Sequence, residues 1–225
     1  MGKFFLSVVL LFLANIPQTM AQSVNFEGEI HFTTTYTYFP EHLLRYRDQL
    51  PRNSDVYIRD NLVCKKGPTG LVNGYQIYIK NLATMTGYNA MQVGETSVAY
   101  RLTNQDYQAE MNSMAVPLSI EYLDETKQIA GFLCKKALVY MPGSTQPFTV
   151  YYTEKIPAEA YVVYKGLKGF PLYFEGNMNG VQFYSEAFAV NPTKQSDAQF
   201  LLPPNYKVLS KEEYRNALIK DIPQQ

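Results

Sequence analysis

From Val24 to Tyr38, apolar and polar positions alternate. Val24, Phe26, Ile30, Phe32, Tyr36 and Tyr38 fall on one face, and Asn25, Glu27, Glu29, His31, Thr33, Thr35 and Thr37 on the other. A period of two, rich in Thr and Tyr, predicts a long strand with one buried face. Pro40 ends it. Leu43, Leu44, Arg47 and Leu50 lie near helical spacing and predict a short helix over Glu41 to Leu50, closed by Pro51.

Strand signals dominate the rest. Val56 to Arg59 and Leu62 to Lys65 flank Asp60-Asn61, a hairpin-like turn. Gly67-Pro68 and Asn73-Gly74 punctuate the next loop, after which Tyr75, Ile77 and Ile79 alternate with Gln76, Tyr78 and Lys80. A further strand pair is expected within Met85 to Met91 and Ser97 to Leu102, and a loop or weak helix over Asn104 to Met114. Leu118, Ile120 and Tyr122 alternate again, Asp124-Glu125-Thr126-Lys127 reads as a turn, and Gln128 to Tyr140 as a strand. Phe148, Val150 and Tyr152 follow the Pro142-Gly143-Ser144 turn, and Leu172 and Phe174 are separated from Val181 and Phe183 by a turn over Gly176 to Gly180. Ser210 stands three residues before Glu213, a capping-box spacing that opens a terminal helix. The sum is about ten strands with two or three peripheral helices, without βαβ alternation. The expected fold class is β-rich, all-β or α+β, with a strongly curved antiparallel sheet or half-open barrel.

The N-terminus carries a different pattern. Lys3 precedes a nearly unbroken apolar run from Phe4 to Ile16, Pro17 breaks it, and Thr19-Met20-Ala21 places small residues where a signal peptidase reads. The run is shorter than the roughly 20 residues that span a hydrocarbon core. Residues 1–21 are therefore expected to be a signal peptide cleaved after Ala21, and 22–225 a single β-rich domain without a transmembrane segment, periplasmic or secreted. No cysteine sits beside the cleavage point to carry a lipid.

Composition narrows the function classes. The chain is 46% hydrophobic and only 18% charged, which argues against disorder. Its 20 basic and 20 acidic residues cancel, so no bulk field attracts nucleic acid. Cys64 and Cys134 are the only cysteines, and each precedes two lysines. In an exported chain they suit either one disulfide, worth about 4 kcal/mol on the entropic model, or two buried thiols on separate strands. The Cys-Lys-Lys triplets read as edge lysines that discourage strand pairing, or as a basic rim for anionic headgroups. His31 lies on the polar face of the first strand and His42 opens the first helix. Neither has a Cys or His partner at ligand spacing, so no metal site is expected. No Gly-x-Ser-x-Gly elbow or phosphate-cradling glycine loop occurs. No catalytic residue and no cofactor is assigned.

The remaining feature is 19 Tyr and 13 Phe. Most such rings build core and cross-strand pairs. An excess on the inner face of a curved sheet would line an apolar cavity. The candidate lining residues are Phe26, Ile30, Ile77, Ile79, Ile120, Tyr122, Val150, Tyr152, Leu172 and Phe183.

The run Ile129-Ala130-Gly131-Phe132-Leu133-Cys134-Lys135-Lys136-Ala137, with Tyr151-Tyr152-Thr153-Glu154-Lys155-Ile156-Pro157 and Leu167-Lys168-Gly169-Phe170-Pro171-Leu172, resembles a group of exported Gram-negative proteins that includes the GLPGLI family and related families. The resemblance covers mainly residues 118 to 190. Gly169-Phe170-Pro171-Leu172-Tyr173 stands where the name-giving run would be, which suits a sister family. These families are similar in fold to the periplasmic lipoprotein carriers LolA and LolB. The resemblance implies a half-open antiparallel barrel whose helix-covered mouth encloses a hydrophobic space.

Two functions are expected from these readings. The first is a binding protein that holds a lipid or lipoprotein acyl chain in its concave sheet. The second is a cell-envelope module that docks a protein partner through a sheet edge or exposed tyrosines. A hydrolase with a site dispersed over strands ranks behind both.

Overall fold

Strand β1 (Gly28–Tyr38) is the strand that the first alternation predicts. The computed structural model describes residues 26–70 and 74–221. The expected signal peptide with its cleavage point, Val24 and Asn25 of the first alternation, and Asn73 of the expected turn lie outside the described residues. After a 3-10 helix at Glu41–Gln49, an antiparallel meander runs through β2 (Asn53–Arg59), β3 (Leu62–Pro68), β4 (Tyr75–Asn81), β5 (Thr86–Val93) and β6 (Thr96–Leu102). Helix α1 (Asn104–Ser113) leads to a second meander of β7 (Ser119–Ile129), β8 (Phe132–Tyr140), β9 (Phe148–Thr153), β10 (Phe170–Met178) and β11 (Val181–Asn191). Short β12 (Lys207–Leu209) and helix α2 (Lys211–Asp221) follow. Among the described residues twelve strands form one sheet, in the order β12-β6-β5-β4-β3-β2-β1-β11-β10-β9-β8-β7. The β1–β11 pairing joins the two meanders; β12 runs parallel to β6, and the other described pairings are antiparallel. The fold is the β-rich, curved, open antiparallel sheet expected from the sequence.

Of the loop or weak helix expected over Asn104 to Met114, the helix is what forms, and three other local expectations are corrected. Residues 104–113 are a true helix: Thr103 Oγ1 accepts from the Asp106 amide at 3.3 Å while the Asp106 carboxylate accepts from the Thr103 amide at 2.9 Å. None of its residues is buried, which is why the stretch shows no apolar period. Asp124 to Lys127 do not turn. They stay within β7, where a register shift between Leu123 and Thr126 leaves Asp124 and Glu125 as a bulge. The chain reverses instead at Ala130-Gly131, with φ of +46° and +86°, and so divides the expected Gln128–Tyr140 strand. Gly176 likewise stays inside β10, and the reversal falls at Asn179-Gly180. Both are two-residue reversals with positive φ at each position, the hairpin geometry whose twist matches the strands.

Residues directly opposed across a ladder share a face, so the register sorts the core. Ile30 faces Val56 and Val190. With Phe32, Ile58, Val150 and Leu172 they form the main cluster, on what we term the inner face. Residues 154–169 cross this face and contribute Ile156, Ala160 and Tyr164. On the outer face of β3–β6, Cys64, Ile77, Ile79, Ala90 and Ala99 are covered by Phe200 and Tyr206. Helix α2 packs Tyr214 and Leu218 onto Val93 and Val98. Its capping box is the one the sequence predicts: Ser210 Oγ accepts from the Glu213 amide at 3.2 Å, and Glu213 accepts from the Ser210 amide at 2.9 Å.

Candidate functional site

Along the inner face, several strands change character at one level. On β1, Ile30 and Phe32 are followed by Thr34 and Tyr36; on β2, Ile58 and Val56 give way to Ser54; on β3, Val63 is followed by Lys65; on β11, Val190 and Ala187 are followed by Ser185 and Phe183. The aliphatic half packs solidly, with Ile30, Val56, Ile58 and Val150 fully buried. Where the side chains turn polar and aromatic, the face opens into a cavity of about 480 Å³. Thr34, Ser54, Ser185, Gln76 and Tyr78 supply polar lining, and Tyr36, Tyr161, Phe174, Phe183 and Met178 an aromatic and thioether wall.

The wall is held by specific contacts. Thr34 Oγ1 and Ser185 Oγ, opposed in register, share a hydrogen bond of 2.6 Å. The Tyr36 hydroxyl donates to the Pro51 carbonyl at 2.7 Å, tying the chain after the first 3-10 helix to the rim. Phe183 lies against Gly176, where an added Cβ would stand 2.6 Å from the ring, so only glycine leaves room for this ring. Phe183 and Phe174 meet edge to face at 6.4 Å. A second cavity of about 510 Å³ shares these two rings and Met178 and extends past Phe148 and Tyr164. The two spaces adjoin: Phe174, Phe183 and Met178 line both, and Glu175 lines the second alone.

Charge is placed unevenly. Lys65 Nζ donates to the Tyr161 hydroxyl at 3.2 Å and lies 4.6 Å from that ring's centroid. Among the described residues no Asp or Glu lines this cavity. Lys66, one position on and therefore on the opposite face, reaches Gln199 Oε1 at 3.0 Å and the Tyr57 ring. Beyond Lys65, Lys80 sits between the Tyr78 and Tyr107 rings, at 4.5 and 4.7 Å, with Glu110 of α1 at 3.5 Å. Burial lowers the Lys80 pKa, against the opposing pull of Glu110. Tyr78 donates to the same Glu110; burial, then that carboxylate, raise its phenol far above the ordinary range.

The candidate residues from the sequence are distributed as follows. Phe26, Ile30, Val150, Tyr152 and Leu172 are buried in the main cluster, and Ile120, Tyr122 and Phe183 pack against it. Ile77 and Ile79 are not brought to this face; they belong to the outer-face cluster. Of the ten, Phe183 borders the cavity. Sequence reasoning passed over Tyr161, Phe174 and the Thr34–Ser185 pair, and met Lys65 only within its Cys-Lys-Lys triplet, as an edge lysine or part of a basic rim. A signal was present: Thr34 interrupts the apolar face of β1, and Lys65 lies two residues from inward-facing Val63. Cys64 and Cys134 are free, buried thiols rather than a bridge. They lie in separate clusters, with β2, β1, β11, β10 and β9 between their strands. Burial pushes both thiols up to about 11. On the outer face, His31 Nδ1 lies 2.7 Å from Asp55, and its ring stacks on Phe188. Among the described residues no group of three or more His, Cys, Asp or Glu is placed to hold a metal, and no helix is long and apolar enough to cross a membrane.

No protein-family model matches the chain, and no curated protein sequence matches it. Among solved structures, it is similar to PNGF-II, with a TM-score of 0.53 and 13% identity over 87% of this chain and 33% of that one. The chain thus spans about a third of that protein's length. It is also similar to the MucA/MucB complex of Pseudomonas aeruginosa, with a TM-score of 0.43 and 9% identity over 82% of this chain and 58% of that one. For the Mycobacterium tuberculosis lipoprotein LppX, the TM-score is 0.39 and the identity 10%, over 76% of this chain and 90% of that one. The likeness to PNGF-II is one of fold alone. Fold and site define a protein with an open, curved, mostly antiparallel sheet and a half-open recess on its inner face.

Proposed function

We propose that this chain is an exported binding protein that holds a lipid or acyl chain in the recess of its inner face and catalyses no reaction. The observation that carries the reading is the aromatic wall of Phe174, Phe183 and Tyr36, with Met178, beside a solidly packed core. Its volume is in the range of small-molecule sites. Each methylene buried there contributes about 0.8 kcal/mol, so chain length more than any single contact sets affinity. The leader-like N-terminus supports export. Docking of a protein partner by strand addition has less support from the sheet edges. β12 has three residues, and β7 carries the Asp124-Glu125 bulge; both features blunt an edge.

Native mass spectrometry of the chain purified after export, without detergent, tests the proposal. A bound mass released by organic solvent and identified as lipid supports it. A clean unliganded mass that stays unchanged after incubation with envelope lipids refutes it.

A further inference from the structure

The two Cys-Lys-Lys triplets are alike in sequence and unlike in charge balance. Lys135 and Lys136 each have a carboxylate, Glu154 at 3.1 Å and Glu125 at 2.8 Å. In the first triplet, Lys66 is turned to the outer face, and Lys65 has no carboxylate at ion-pair distance among the described residues. Among the described residues Lys65 is thus an ammonium without a counter-charge, set at the edge of an aromatic wall, in a cavity that none of their acidic side chains lines.

Its surroundings are those of a donor set. An ammonium only donates, so the Tyr161 hydroxyl must accept from Lys65; its own proton has no acceptor among the described residues. The Ser54 hydroxyl, also on the cavity, has no hydrogen-bond partner among them either. Three donors line one space in which, among the described residues, no Asp or Glu takes part, next to rings that would accept a chain.

We propose that Lys65, Tyr161 and Ser54 bind the anionic head group, carboxylate or phosphate, of an amphiphile whose chain lies along Phe174, Phe183 and Met178. This rests on the binding reading above and adds the ligand's polar end. A charge-assisted hydrogen bond is about twice as strong as a neutral one, and a site built around it rejects the neutral analogue. The site therefore prefers an acid to the alcohol of equal chain length.

The test is calorimetric titration of the exported chain with tetradecanoate, tetradecyl phosphate, tetradecan-1-ol and inorganic phosphate. The expected result is that at least one tetradecyl anion binds about tenfold or more tightly than the alcohol. The relative affinities of tetradecanoate and tetradecyl phosphate then distinguish a free fatty acid from a phosphate head group. Lys65→Met should abolish the preference and leave alcohol binding in place, whereas Lys65→Arg should retain it. Lys135→Met, on a lysine already paired, should change nothing. An unchanged urea midpoint for Lys65→Met shows that the fold is intact. Equal binding of acid and alcohol overturns the head-group inference and leaves the binding reading standing. Binding of none of the tetradecyl probes removes the binding reading itself. Inorganic phosphate binding as tightly as the tetradecyl anions overturns the amphiphile in favour of a free anion.

Discussion

Lys65 and Tyr161 join β3 to the segment that crosses the inner face, by a 3.2 Å hydrogen bond and a cation held 4.6 Å from the ring centroid. The same ring touches Phe32, Phe170 and Phe174 at 5.6, 5.9 and 5.9 Å. Tyr161 thus has one side on the solid core and the other on the cavity, and it marks the boundary between the part of the inner face that stabilises and the part that is open to a ligand.

That boundary predicts unequal costs of truncation. Phe32 is 1% exposed and contacts Tyr161, Phe170 and Phe174, so Phe32→Ala should destabilise by about 3–5 kcal/mol. Tyr161→Ala, at a half-buried position beside an existing cavity, should cost clearly less. Urea unfolding of the two variants checks the order; equal losses would place Tyr161 in the core.

The thiols predict a labelling pattern. With both side chains buried and their pKa values near 11, neither Cys64 nor Cys134 presents thiolate at pH 8. Ellman's reagent should react slowly with the native chain and, without added reductant, release two equivalents of thiol on denaturation. No release on denaturation would show a disulfide.

His31 predicts a small pH dependence of stability. Burial lowers its pKa, but the hydrogen bond and charge of Asp55, with the charge of Glu29, outweigh this and leave it raised above 6.5. A raised folded value means that the stabilisation is complete below about pH 6.5 and is lost as pH rises through the folded value. Because the ring is partly exposed, screening keeps the effect below about 1 kcal/mol. The stability difference between the wild type and His31→Gln should therefore shrink as pH increases, and should shrink further in high salt.

The hairpin between β7 and β8 carries a removable strain. Ala130 sits at φ +46°, in the left-handed region that an L-residue with a Cβ disfavours. Ala130→Asn should raise stability by up to about 1 kcal/mol, measured by thermal unfolding, because Asn tolerates this conformation better. A loss of stability would show that the methyl group contributes packing there.

The residues that misled the sequence reading do so for traceable reasons. Asp124-Glu125-Thr126-Lys127 has the composition of a turn, but Leu123 and Thr126 still pair with adjacent residues of β8, and the ladder absorbs the two extra positions as a bulge. Ile77 and Ile79 alternate as cleanly as Ile30 and Phe32, yet alternation names two faces without saying which is inner. For β4, the covering segment with Phe200 and Tyr206 lies on the isoleucine side.

The features legible along the chain are local: β1 from its alternation, the α2 cap from Ser210 and Glu213, and the β-rich class from the density of strands and turns. Side-chain parity and capping are properties of a few neighbouring residues, so they can be read along the chain. It takes the folded chain to set Thr34, Ser54, Lys65 and Ser185 at one level of one face, and to leave Lys65, among the described residues, without the carboxylate that Lys135 and Lys136 each have. Those facts depend on the β1–β11 pairing and on the path of residues 154–169. Both bring together residues far apart in sequence, and such long-range placement leaves no period in the sequence.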